Sequence, residues 1–286
     1  MPESALIFER YFFWLVAYSM IGWIYESLLE SFRQKKLVNR GFLNGPYLPI
    51  YGSGALLDVV LLGWIRNPVI LFFASAVICC VVEFFASVLM EKMFHIRWWD
   101  YNDFKFNIFG KTIDMGLINI QGRICLAGFI AFGALSIGLV YYLHPFVVTL
   151  TDMIPIIAFH IIFSVIFAVV MVDILLTVFS LIGFTERFRH LTNTIAKIKT
   201  NAVDKVQATA AYEKINSVCE KFVKTMNPQQ IRIFRSFTQL RSTKNPKTLE
   251  RIKSIIFRRK SSQENGHASD EEKTKEIPAD LSEQES

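Results

Sequence analysis

Between residues 11 and 183 the chain is dominated by apolar runs longer than a soluble core helix needs. Residues 69–90, "VILFFASAVICCVVEFFASVLM", contain a single charged residue, Glu83. About twenty apolar residues rising ~1.5 Å each cross a ~30 Å hydrocarbon layer. Within a bilayer, only helices and closed barrels satisfy their own backbone groups. The pattern therefore predicts an all-α polytopic membrane protein with a transmembrane domain over residues 1–184. Five spans are expected, at about 8–31, 48–65, 68–90, 122–143 and 155–183. The start "MPESALIFER" carries Glu3 and Glu9 without the basic lead of a signal peptide, so the first run is expected to be an uncleaved span.

Basic residues set the expected orientation. The first connection holds Arg33, Lys35, Lys36 and Arg40, and the third holds Lys92, Arg97, Lys105, Lys111 and Arg123. The second has only Arg66, and the fourth, "HPFVVTLTDMIP", has no Lys or Arg. Basic connections favour the cytoplasmic side. Five spans then place the N-terminus outside and the C-terminus in the cytoplasm of a cell membrane.

The segment "NRGFLNGPYLPIYGSGA", residues 39–55, opens the second span with Gly41, Gly45, Pro46, Pro49, Gly52 and Gly54. Proline removes backbone donors and glycine weakens helix. A re-entrant, non-helical segment over 41–55 is expected, dipping in from the cytoplasmic side and lining a wet cavity. The alternative is a surface loop followed by a short tilted span. Gly52-x-Gly54 lacks the third glycine and the preceding strand of a nucleotide-binding turn.

Ionisable groups at membrane depth are costly, and so mark functional or paired sites. Glu26 and Glu30 share one helical face, as do Glu83, Ser87 and Glu91. Asp58 interrupts the second span, and His160 and Asp173 lie in the fifth. Asp58, Glu26 and Glu83 are the candidate substrate or ion path, with Gly45, Pro46, Gly52 and Gly54 supplying backbone polarity. Arg40 and Arg123 are expected to neutralise part of that charge. Interhelical ion pairing is the competing account of the same acids.

"RWWDY" follows the third span. Arg97, Trp98, Trp99, Asp100 and Tyr101 are expected at the interface, where aromatic residues anchor a membrane protein and the charges contact lipid or a partner. The residues after it suit a hairpin or a second re-entrant loop. The tail 185–260 has helical, basic patterning, with Ile195, Ile198, Val206, Tyr212, Ile215 and Phe222 spaced for one face. In 246–260, "PKTLERIKSIIFRRK" sets aliphatic against basic residues, which suits anionic lipids or a protein partner equally. Residues 261–286 are polar and acidic and are expected to be disordered. Cys79, Cys80, Cys125 and Cys219 form neither a disulfide framework nor a zinc pattern. No metal or cofactor is expected, and interleaved acids argue against nucleic-acid binding.

"IGWIYE", "NRGFLNGPYLPIYGSGA", "RWWDY" and "NIQGRICL" occur in order over residues 11–145. Together they resemble the CmpB-like ABC-transporter type IV permease family. That resemblance implies a bacterial integral membrane protein acting in transport. The chain carries no Walker A motif, so an ATPase would be a separate subunit. No paired nucleophile and base appears, so an enzyme is not expected. The expected function is a permease-like subunit. The alternative is a non-transporting scaffold or regulator that recruits partners through its tail. Expected partners are the bilayer, a separate ATPase, further copies in a homo-oligomer, and anionic lipids at the basic helix.

Overall fold

The computed structural model describes residues 3–102, 105–108, 111–114, 118–200 and 205–258. The acidic stretch 261–286 lies outside them. Four helices are long and apolar enough to cross a membrane: Ser4–Gln34, Pro68–Phe94, Leu126–Asp152 and Ile156–Thr200. The first lies in α1 (Glu3–Gln34) and the second is α3 (Pro68–Phe94). The third joins α4 (Leu126–Gly138) to α5 (His144–Asp152) through a π-helical turn, Leu139–Leu143. Pro145, in the first turn of α5, cannot donate to the preceding ladder, and the wider turn absorbs that break. The fourth is α6 (Ile156–Thr200).

α2 (Pro49–Leu62) has only 14 residues, about 21 Å of helix. It corrects the expectation of broken structure over 41–55. Gly52 and Gly54 sit inside regular helix, and Pro49 occupies a first-turn position where no donor is needed. The non-helical run is residues 38–48. It climbs beside the last turns of α1, with Val38 N donating to Ser31 Oγ, Arg40 N to Ser27 Oγ and Leu48 N to Ser19 O.

Successive helices α1, α2, α3, α4–α5 and α6 alternate in direction, so that α1 and α3 run the same way. At one end His160 meets Glu9 at 2.6 Å, Arg10 pairs with Asp152 at 3.0 Å, and Trp14 donates to Thr151. Arg40, Arg97 and Arg123 gather at the other. α6 shows how the bundle is turned inside out relative to a soluble protein. Ile157, Ile161, Val165, Val169, Val172, Leu176 and Phe179 are exposed along one face, while Asp173 and Thr177 are buried on the opposite face. The chain is a multi-pass, all-α membrane protein.

Short strands tie the basic end together. β1 (Ile96–Arg97) pairs with β6 (Arg241–Ser242), β2 (Lys105–Ile108) with β3 (Lys111–Asp114), and β4 (Asn119–Ile120) with β5 (Ile124–Cys125), all antiparallel. Of the two structures expected after "RWWDY", a hairpin forms.

Two compact units emerge, Met1–Arg189 with Asn227–Lys244, and His190–Met226 with Asn245–Ser286. The tail is therefore not one block after 184. Residues 227–244, with α8 (Pro228–Ser236), belong to the membrane unit. In the second unit α7 (Lys205–Lys224) buries Ile215, Cys219, Phe222 and Val223 at helical spacing. Tyr212 is exposed, and Arg251 stacks on its ring at 4.6 Å. A helix over 246–258 buries Leu249, Ile252, Ile255 and Ile256. The apolar face expected to enter an anionic membrane is packed within the protein instead. Its Lys253 is paired with Glu250 at 2.9 Å.

Candidate functional site

One side of α3 carries Ser75, Cys79, Glu83, Ser87 and Glu91, each four residues after the last. Residues at this spacing form a single ridge on a helix. α2, α4 and the loop after β1 each place a polar side chain against it.

At its first level Asp58, from α2, is 1% exposed. Its Oδ2 accepts from Ser136 Oγ of α4 at 2.5 Å and from Cys79 Sγ at 3.5 Å. Its Oδ1 is buried, and the Ser75 hydroxyl of the ridge also acts on this carboxylate as a hydrogen-bond donor. Sequence singled out Asp58, and three helices bring it to the ridge.

At the middle level Glu83, 6% exposed, accepts at Oε1 from Tyr101 OH at 2.9 Å. Its Oε2 is buried and unpartnered beside Gly128. Tyr101 is aimed there because its N–H donates to Gly122 O at 2.8 Å. Gly122 has φ +66, and a Cβ on it would come within 2.4 Å of Asp100 Oδ1, so only glycine fits this turn. Burial, then the neighbouring Glu83, pushes the Tyr101 phenol well above its ordinary range, which keeps it a hydroxyl donor.

At the last level Arg123 donates to Ser87 at 2.9 Å and to Glu91 at 2.6 Å. Arg97 approaches Glu91 at 3.5 Å and Asp100 at 3.6 Å, and Arg241 reaches Asp100 at 3.4 Å. Arg123 thus neutralises Glu91, two turns away from Glu83, and not one of the three acids of the expected path. Arg40 does pair with Glu26, at 3.4 Å, and Tyr51 OH donates to the same carboxylate at 2.6 Å. Glu26, Tyr51, Tyr101 and Glu83 lie within electrostatic reach of one another.

Asp173 has a different environment. It accepts from Asn44 N (3.0 Å), Asn44 Nδ2 (2.8 Å), Gly45 N (2.8 Å), Tyr47 OH (2.6 Å) and Thr177 Oγ1 (3.2 Å). The carbonyls of the same run are met from α8. Arg232 donates to Gly41 O and Leu43 O at 2.5 and 2.8 Å, and Ser236 to Asn39 O at 2.6 Å. Arg40 returns a bond to Ser236 O at 2.8 Å. Burial lowers the Arg232 guanidinium from its ordinary range, with Asp173 opposing that shift. The expected wet cavity around Gly45 and Pro46 is therefore corrected. Protein groups, rather than water, satisfy these backbone atoms, which is the other condition for irregular backbone at membrane depth.

Arg232 and Ser236 went unnoticed in the sequence. "NPQQ" (227–230) shows a capped helix start, with Asn227 and Gln230 bonding reciprocally, but says nothing about a partner 190 residues earlier. The expected aromatic belt divides. Trp98 is 5% exposed and packs edge-on against Phe42 and Phe237, so it faces protein rather than lipid. Half-buried Trp99 donates to Arg123 O at 3.0 Å. Among the described residues no group of three His, Cys, Asp or Glu is placed to hold a metal ion.

Residues 13–178 match the family described as "Putative ABC-transporter type IV". The chain belongs to that family. The match takes in the α3 ridge, the 38–48 run, Asp58, Glu83 and Asp173, and stops before α8. It makes the chain a transport-related membrane protein. No curated protein and no solved structure matches it.

Proposed function

We propose that the chain is the permease-like subunit of a transport system energised by a separate ATPase, with its path along the α3 ridge. It is not itself an enzyme. One observation supports this above the others: among the described residues Glu83, at membrane depth, keeps a buried oxygen without a partner, and Asp58 on the same ridge is met by hydroxyls and a thiol but by no cation. Structural ion pairs satisfy their charges, as Glu91 and Arg123 do here. An unsatisfied carboxylate costs stability and persists where a ligand uses it. Asp58→Asn and Glu83→Gln keep shape and hydrogen-bonding capacity. Each variant should accumulate as the wild type does, yet lower complementation of a deletion strain at least tenfold. Full complementation by both would sink the path reading. In that case the scaffold reading takes its place, for which the separately packed unit of residues 190–226 and 245–258 would be the recruiting element.

α1, α2, α3, α4–α5 and α6 alternate in direction, with Arg40, Arg97 and Arg123 at one end. This supports five passes, the N-terminus outside and the C-terminus cytoplasmic. A reporter after Ser286 should read cytoplasmic, and one near Thr151 external. Identical readings from the two sites would rule out five passes.

A further inference from the structure

Glu83 and Glu26 are a pair of carboxylates with opposite surroundings. Glu26 has a guanidinium at 3.4 Å and a phenol at 2.6 Å. Glu83 has one phenol, Tyr101, and no Lys or Arg within ion-pair distance among the described residues. The groups facing it are acids or neutral: Tyr101 from the loop after β1, Cys125 preceding α4, Cys80 on α3 itself, and Glu26 from α1. The nearest arginines are committed elsewhere, Arg123 and Arg97 to Glu91, and Arg40 to Glu26. A carboxylate in a low-dielectric site without a cation takes up a proton rather than bear the desolvation cost. Two nearby carboxyls with unlike partners divide the charge, one ionised and one neutral.

We propose that Glu83 is a proton-binding site, its buried Oε2 taking up and releasing one proton while Arg40 stays paired with Glu26. This rests on the ridge being the transport path, and it makes the proton the ligand coupled to transport there. The balance is one proton added to a carboxylate to give a neutral acid, and the reverse. Oε2 is suited to it, because Tyr101 occupies only Oε1 and the other oxygen is left without a hydrogen-bond partner among the described residues.

The test is infrared difference spectroscopy of the full chain in lipid nanodiscs, stepped in pH. A protonated carboxyl band near neutral pH should be present in wild type and absent in Glu83→Gln. Tyr101→Phe should keep the band and move it to higher frequency, because the acid loses a hydrogen-bond donor. Should Glu83→Gln fail to accumulate, wild type labelled with 13C-glutamate decides instead, since the band must shift with that label. Absence of the band, or a band that shifts only with 13C-aspartate, overturns the proposal. The two readings separate cleanly. If Glu83→Gln removes the band yet complements fully, the proton site stands and the path reading fails. If no band exists but Glu83→Gln abolishes complementation, the proton site fails and the path reading survives.

Discussion

Gly52→Ala should remove most of the folded protein from the membrane, while Gly54→Ala, two residues on, should leave accumulation within about twofold. A Cβ on Gly52 would lie 2.1 Å from Ser19 Oγ and 2.3 Å from the Leu15 carbonyl oxygen. The second contact is with helix backbone and cannot be relieved by a rotamer change. On the same seam, a Cβ on Gly22 would lie 2.4 Å from Tyr51 Cβ. α1 and α2 therefore cross at glycines from both helices, the close approach that holds membrane helices together without a hydrophobic driving force. Forcing them apart also stretches the Leu48 N–H bond to Ser19 O, which fixes the start of α2. Overpacking of this kind costs about 1–3 kcal/mol, and more where backbone must move. At Gly54 the only neighbour within 4 Å of such a Cβ among the described residues is Cys79 Sγ, at 3.4 Å, the end of a side chain. Fluorescence-detected size exclusion of tagged variants in mild detergent would compare the two. Equal monodisperse peaks would show that the α1–α2 seam has slack it is not expected to have.

The four long apolar helices were legible because runs of that length in lipid must satisfy their own backbone groups. The α3 ridge was legible in part, since Glu83, Ser87 and Glu91 share a face by spacing alone. The Gly/Pro segment misled because propensity counts each breaker equally. Pro49 stands where helices accept proline, and tertiary packing at the α1 crossing outweighs the ~1 kcal/mol helix penalty of Gly52. The arginine assignments were ambiguous for a different reason. Glu83 and Glu91 lie on one face two turns apart, and nothing local says which one Arg123 reaches. The turn at Gly122 decides it, by carrying Tyr101 to Glu83. α8 was the least legible element. Arg232 and Ser236 resemble the polar face of a surface helix until the run they serve, 38–48, is seen beside them.

Asp173→Ala should destabilise the membrane unit by about 3–5 kcal/mol, the loss expected when a buried, fully hydrogen-bonded carboxylate is deleted. Five bonds converge on that side chain, two of them from the consecutive backbone N–H groups of Asn44 and Gly45. Without the carboxylate those donors stay buried at membrane depth, where water cannot replace it. Asp173→Asn should lose less, about half. It retains an acceptor for Asn44 but turns an amide donor toward Gly45 N or Tyr47 OH. Arg232→Ala acts on the other side of the same run and frees the carbonyls of Gly41 and Leu43. Each variant should lower the melting temperature in detergent and open residues 38–48 to protease, with Asp173→Ala the most severe. A melting temperature for Asp173→Ala within a few degrees of wild type would show that the run holds itself up without α6. The contrast with the ridge is what gives these measurements meaning. Asp173 has every lone-pair direction occupied, so its loss should appear in stability first and in activity only as a consequence. Asp58 and Glu83 have no cation partner among the described residues, and Glu83 leaves an oxygen open, so their amide variants should show the reverse order, activity lost from a protein that still folds. If all three acids followed one pattern, the division between a carboxylate that holds the backbone and carboxylates that hold a ligand would be wrong.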